Sequence, residues 1–133
     1  MTEFVVRLDN RPGSLARLTE LLAAAGVNID ALAAWGSNGD GVVRLIVDQP
    51  DACARTLDDA GLAFEQRTVL SALLPDRPGE LARITRVLAE ADINIEAIFI
   101  LGTHADGLEL AIAVDDPDAA APLLPITGTL TAV

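Results

Sequence analysis

The chain has 133 residues, about half of them hydrophobic (51%), and a net charge of −11 in which all nine basic residues are arginine. Acidic charge spread along the whole chain repels a phosphate backbone, and no arginine cluster with interleaved aromatics offers the basic face that nucleic-acid binding needs. No uncharged stretch is long enough to read as membrane-spanning, no signal-like segment opens the sequence, and the single Cys53 cannot form an internal disulfide, so a cytoplasmic protein is expected.

In chain order, residues 4–8 alternate bulky apolar side chains with Arg7, the pattern of a strand with one face on a core. A Pro-Gly turn follows, then a helix of about twelve residues whose apolar stripe is Leu15, Leu18, Leu22 and Ala25. Gly26 sits where a left-handed residue closes a helix. A second strand is predicted over residues 28–35 and a third over 42–47, joined by the glycine-rich turn 36–41 as a hairpin. Pro50 opens a second helix reaching about residue 60, and a fourth strand over 62–66 runs on into the next segment with no flexible linker.

The whole pattern then returns. Residues 11–32 and 77–98 share 13 identities over 22 positions at an offset of 66. Residues 69–74 repeat the first strand, Leu81, Ile84, Leu88 and Ala91 repeat the stripe, and Asp92 takes the place of Gly26. Strands over 94–101 and 108–114 repeat the hairpin, and Pro117 opens a helix that Pro122 and Pro125 cut short. The offset grows to 67 between Gly107 and Asp115, which places one extra residue, read as a bulge, in the second hairpin. The order strand, helix, strand, strand, helix, strand, twice over, predicts an α+β protein of two tandem ferredoxin-like βαββαβ units with antiparallel sheets and helices on one face, at residues 1–67 and 68–133. The open sheet faces and edges are expected to be covered by the other repeat or by a second chain.

The segments Asn10-Arg11-Pro12-Gly13-Ser14-Leu15 and Asp76-Arg77-Pro78-Gly79-Glu80-Leu81 are each followed, one helix later, by Val27-Asn28-Ile29 or Ile93-Asn94-Ile95. In this the chain resembles ACT domains, ferredoxin-like regulatory modules that sense small molecules, most often amino acids. The resemblance covers nearly the whole chain, weakening after Pro122, and looks like a stand-alone tandem ACT protein with no catalytic domain. It implies a ligand between paired units, touching the loop after the first strand and the start of the second. That carries over onto Asn10, Arg11, Gly13, Leu15, Asn28 and Ile29, and onto Asp76, Arg77, Gly79, Leu81, Asn94 and Ile95. The serine-sensing branch has histidine two places before the motif's Asn, where this chain has Leu8 and Leu74, so serine itself does not carry over.

The residues support such a site independently. A helix starting near Gly13 or Gly79 directs unpaired amides and the positive end of its dipole toward a ligand carboxylate. An amino acid also needs acceptors for its ammonium, and Asn10, Asn28, Asp76 and Asn94 are the polar groups that the fold is expected to bring near those helix starts. The anionic Asp76 suggests that the second site prefers a cationic group and that the first is weaker or structural. Each residue also has a plainer role: Asn10 and Asp76 as helix caps, Asn28 and Asn94 as turn formers, Arg11 and Arg77 paired with acidic neighbours. Asp48 and Asp51, and Asp115, Asp116 and Asp118, flank prolines at helix starts and read as caps rather than metal ligands.

Catalytic material is thin. His104 lies in a turn, Cys53 on a helix without a histidine beside it, and no serine sits on a nucleophile elbow. Trp35, Phe4, Phe64 and Phe99 fall on strands as core or interface residues. The expectation is a regulatory sensor with no enzymatic activity, cofactor or metal, homodimeric, with an amino-acid ligand and a metabolic enzyme as candidate partners; the alternative is a ligand-free regulatory subunit or interaction module docking on such an enzyme.

Overall fold

The computed structural model describes residues 1–125. They form two compact units, one over Thr2–Arg67 and one from Thr68 onward together with Met1. The first unit runs β1 (Thr2–Asp9), α1 (Ser14–Ala24), β2 (Ile29–Ser37), β3 (Asp40–Val47), α2 (Pro50–Asp59) and β4 (Phe64–Thr68). Its antiparallel sheet has the order β2-β3-β1-β4, the ferredoxin-like arrangement. Alternation on β1 sends Phe4 and Val6 to the helix-covered face, where they meet Leu18, Leu22, Val43, Leu45, Cys53 and Leu57 in one buried cluster. The Phe4 and Phe64 rings lie 5.9 Å apart.

The second unit repeats this as β5 (Leu70–Leu74), α3 (Glu80–Glu90), β6 (Ile95–His104), β7 (Gly107–Val114) and the short α4 (Pro117–Ala120), continued by a 3-10 turn at Ala121–Leu123. Its described sheet has the order β5-β7-β6 around a core of Ala72, Leu74, Ile84, Leu88, Leu110 and Ile112. Leu73 N–H donates to the Pro125 carbonyl at 3.1 Å, so the chain is already beside β5 when it reaches residue 125. The last expected strand lies outside the described residues.

Helix ends follow the sequence. Gly26 N–H donates to Ala23 O and Val27 N–H to Leu22 O, with Gly26 at φ 74°; Asp92 does the same at φ 58°. The core stripe is narrower than expected: Leu18 and Leu22, like Ile84 and Leu88, are buried, but Leu15 is 40% and Leu81 47% exposed, and Ala25 and Ala91 are exposed too. Two helices on a four-stranded sheet leave each helix only one row of side chains against the core. The extra residue of the second repeat is Leu101, an unpaired bulge in β6 between Ile100, opposite Leu110, and Gly102, opposite Glu109. Beyond it the offset is already 67, so His104 and Gly107 take the pairing positions of Ser37 and Asp40.

One difference between the sheets lies away from the helices. Glu3 is fully buried and ion-paired with Arg44, whose Nε donates to Glu3 Oε1 at 3.0 Å, while Glu3 Oε2 has no hydrogen-bond partner. The matching positions of the second unit are Val69 and Ala111, both buried and apolar.

Candidate functional site

Both loops are built alike. Gly13 and Gly79 precede their helices at φ 92°, a left-handed conformation that costs any other residue strain. Arg17 N–H donates to Gly13 O and Arg83 N–H to Gly79 O, both at 2.9 Å, so the amides of the two residues before each arginine precede the first helical bond. Neither helix has a side-chain cap. Asn10 and Asp76 therefore do not cap, because a left-handed glycine occupies the cap position. Asn10 N–H instead bonds Gly39 O at 2.8 Å, and its side chain lies across Gly36, where a Cβ would sit 2.4 Å from the Asn10 amide.

Asn28 and Asn94 lie at the opposite end of their units. Strand register puts Asp9, Asp40 and Ser37 at one end of the sheet and Glu3, Val47 and Ile29 at the other, with the 11-residue α1 spanning about 16 Å between them. No single unit joins its own loop to its own asparagine, contrary to the expectation. Asp48 and Asp115 are not helix caps either. Asp48 Oδ1 accepts from Asn28 N–H at 2.8 Å while Asp48 N–H donates to Asn28 O at 3.1 Å, and Asp115 pairs with Asn94 in the same way at 3.0 and 3.1 Å. The helix-to-strand turn is thus clamped, with both asparagines exposed; Asn28 Nδ2 also donates to Asp30 at 2.9 Å. Ile29 and Ile95 pack against the cores. Asp116 does cap, accepting from Ala119 N–H at 3.1 Å. Among the described residues no group of acidic, histidine or cysteine side chains could hold a metal ion.

Two clefts open on the first loop. The smaller, about 240 Å³, lies on its β2 side between Asn10, Leu15, Ala34, Trp35 and Gly36. The larger, about 520 Å³, lies on its β4 side and is lined by Arg7, Asp9, Arg11, Arg17, Asp40 and the 61–63 turn. Trp35, read from sequence as a core or interface residue, is 54% exposed and lines the smaller cleft, and Arg17 was not singled out. The signals were there: a lone tryptophan next to a strand glycine, and an arginine kept as Arg83 in the repeat.

The loops differ in charge. In the second, Glu80 stands at the helix start; Arg77 Nε donates to its Oε1 at 2.9 Å, and Arg83 Nε and NH2 to its Oε2 at 3.1 Å. Hydrogen bonds from Arg77, then Arg83, hold this carboxyl below its ordinary range. In the first, Ser14 replaces Glu80, Arg11 reaches only Asp9 at 3.6 Å with both side chains over 70% exposed, and Arg17 forms no ion pair among the described residues. His104 Nε2 lies 2.8 Å from Glu109 Oε2 on the second hairpin.

The ACT domain family model matches residues 2–52 and again 68–124. The chain belongs to the ACT domain family. Protein BT0572 from Bacteroides thetaiotaomicron is similar in structure, with a TM-score of 0.82 and 25% identity, over 92% of this chain and 84% of that one. The ligand-free regulatory subunit of aspartate kinase from Thermus thermophilus superposes at TM-score 0.69 and 16% identity, over 92% of this chain and 87% of that one. A structure of aspartokinase alpha and beta subunits matches at TM-score 0.65 and 22% identity, over 92% and 88%. No curated protein matches the sequence. The βαββαβ order of the first unit, repeated as βαββα over the described residues of the second, is thus that of tandem ACT units, and no helix among the described residues is long and apolar enough to cross a membrane.

Proposed function

We propose that this protein is a non-enzymatic cytoplasmic sensor whose two ACT domains, residues 1–67 and 68–133, take an amino acid or related small carboxylate where the loop of one ACT unit meets the β2-type strand start of another. The observation that carries the reading is the β2-side cleft. It opens at an edge strand, beside the exposed Leu15 and Trp35, and so has the form of half a site. The clamped Asn28 and Asn94, one helix length away, are the polar groups a second unit would bring to it. A homodimer is the simplest assembly that does so. Ligand would stabilise the paired arrangement, which is how binding becomes regulation.

The catalytic candidates support a non-enzymatic role: burial pushes the Cys53 thiol up to about 11, and His104 is engaged with Glu109. A thermal-shift screen against the twenty amino acids and common 2-oxo acids tests the proposal, with a dose-dependent rise in melting temperature expected from one chemical class. The Asn28→Ala, Asn94→Ala double variant should lose that rise while keeping its fold. A second reading, a subunit that docks on a metabolic enzyme, is favoured by Ile100, 65% exposed on the edge strand β6. A stoichiometric enzyme partner in native purification, with a silent ligand screen, would replace the first reading by the second.

A further inference from the structure

We infer that the larger cleft, on the β4 side of the first loop, is a separate binding site for a small dicarboxylate, complete within the first unit. Three of the nine arginines of a chain with net charge −11 line this one cleft of about 520 Å³, a volume suited to a small ligand. It shares Leu8, Asp9, Arg11 and Ser14 with the smaller cleft but extends from them toward Arg7, Arg17 and the 61–63 turn rather than toward the β2 edge, so its occupant needs no second ACT unit and the inference does not rest on the interface reading.

The duplicated unit shows what belongs there. At Arg77 and Arg83, the counterparts of Arg11 and Arg17, a carboxylate is already seated, one oxygen on each arginine at 2.9 to 3.1 Å, and it is Glu80's own. The second loop thereby fills its seat from within. Ser14 vacates the same seat in the first loop, leaving Arg17 without an acidic partner among the described residues and Arg11 on a long, exposed contact with Asp9. An external carboxylate takes the place of Glu80 there, received by two guanidinium groups and by the first-turn amides of α1. Arg7 has no counterpart, since Leu73 stands at its position. This third cation lines the cleft only where the seat is vacant, and it receives a second carboxylate. Asp9 and Asp40, which line the same cleft, accept an ammonium, so acidic amino acids belong to the same ligand class.

The test is calorimetric titration of the full chain with succinate. Wild type should bind, more weakly as salt is raised. Ser14→Glu, which copies the second loop, should lower affinity by about tenfold or more without lowering the melting temperature, and Arg17→Gln should weaken binding comparably. The Asn28→Ala, Asn94→Ala variant should bind succinate as wild type does. No succinate binding by wild type, binding of inorganic phosphate but not succinate, or unchanged affinity in Ser14→Glu would each overturn the inference. Loss of succinate binding in the double asparagine variant would move the ligand to the β2-side site and overturn it as well.

Discussion

The two ACT loops have the same backbone and opposite electrostatics. Gly13 and Gly79 agree within a degree in φ and ψ, and the same arginine-to-glycine bond starts each helix. One residue on, Ser14 stands where the second loop has Glu80, and that exchange decides whether two arginines are occupied from within or available to a ligand. The sheets repeat the lesson: Glu3 and Arg44 form a buried pair where the second unit has Val69 and Ala111. Duplication has kept the residues that set backbone geometry and let the charges diverge. From sequence the stronger site is expected at Asp76, whereas the larger of the two described clefts lies beside Asp9 and Arg11 of the first unit.

The largest effect should come from breaking the sheet contrast on one side. Arg44→Ala strands a fully buried Glu3 carboxylate and is expected to destabilise by about 3–5 kcal/mol, measured by urea unfolding. Glu3→Val with Arg44→Ala makes the first sheet resemble the second and should be close to neutral or stabilising. A double variant as unstable as Arg44→Ala would mean that the two sheets do not tolerate the same apolar pair. Next in size, Gly13→Ala and Gly79→Ala should each cost about 1–2 kcal/mol. A Cβ at either position meets nothing within 4 Å, so the cost is conformational and should be equal in the two units. Unequal costs would show that the loops are not equivalent backbones.

Most of the fold was legible because it is written in patterns that local physics enforces. Alternation on residues 4–8, glycine or aspartate at a left-handed helix end, and proline at a helix start each have one structural solution, and each occurs twice. What escaped was the outcome of choices between elements distant in sequence. Asp48 has two possible jobs beside Pro50, and only the register of β2 on β3 brings it to Asn28 rather than to the helix start. Leu15 fits a helical stripe, yet the stripe exceeds the width of the core. Leu101 could not be placed as the bulge because an extra residue is visible in sequence only where the motif resumes, several residues later. For the candidate site, the loop, its glycine and its flanking arginines were readable, but Trp35 lines the cleft through the packing of Asn10 across the neighbouring Gly36, a contact between residues distant in sequence.

The smallest expected effect isolates the second loop's internal carboxylate. Hydrogen bonds from Arg77 and Arg83 depress the folded-state pKa of Glu80 below its ordinary value of 4.5, so the pairing adds stability above that value and loses it as pH falls through the depressed one. Glu80→Gln removes this component. The gap in melting temperature between wild type and Glu80→Gln should therefore be present near neutral pH and close on acidification below the usual glutamate range. It should also shrink in high salt, since Arg77 and Arg83 are more than half exposed. Ser14→Gln in the first loop removes no carboxylate and should show no such pH-dependent gap. A gap of equal size in both loops would mean that Glu80 acts as an ordinary first-turn residue rather than as the occupant of an arginine seat, and the carboxylate assigned to the vacant seat beside Ser14 would lose its precedent.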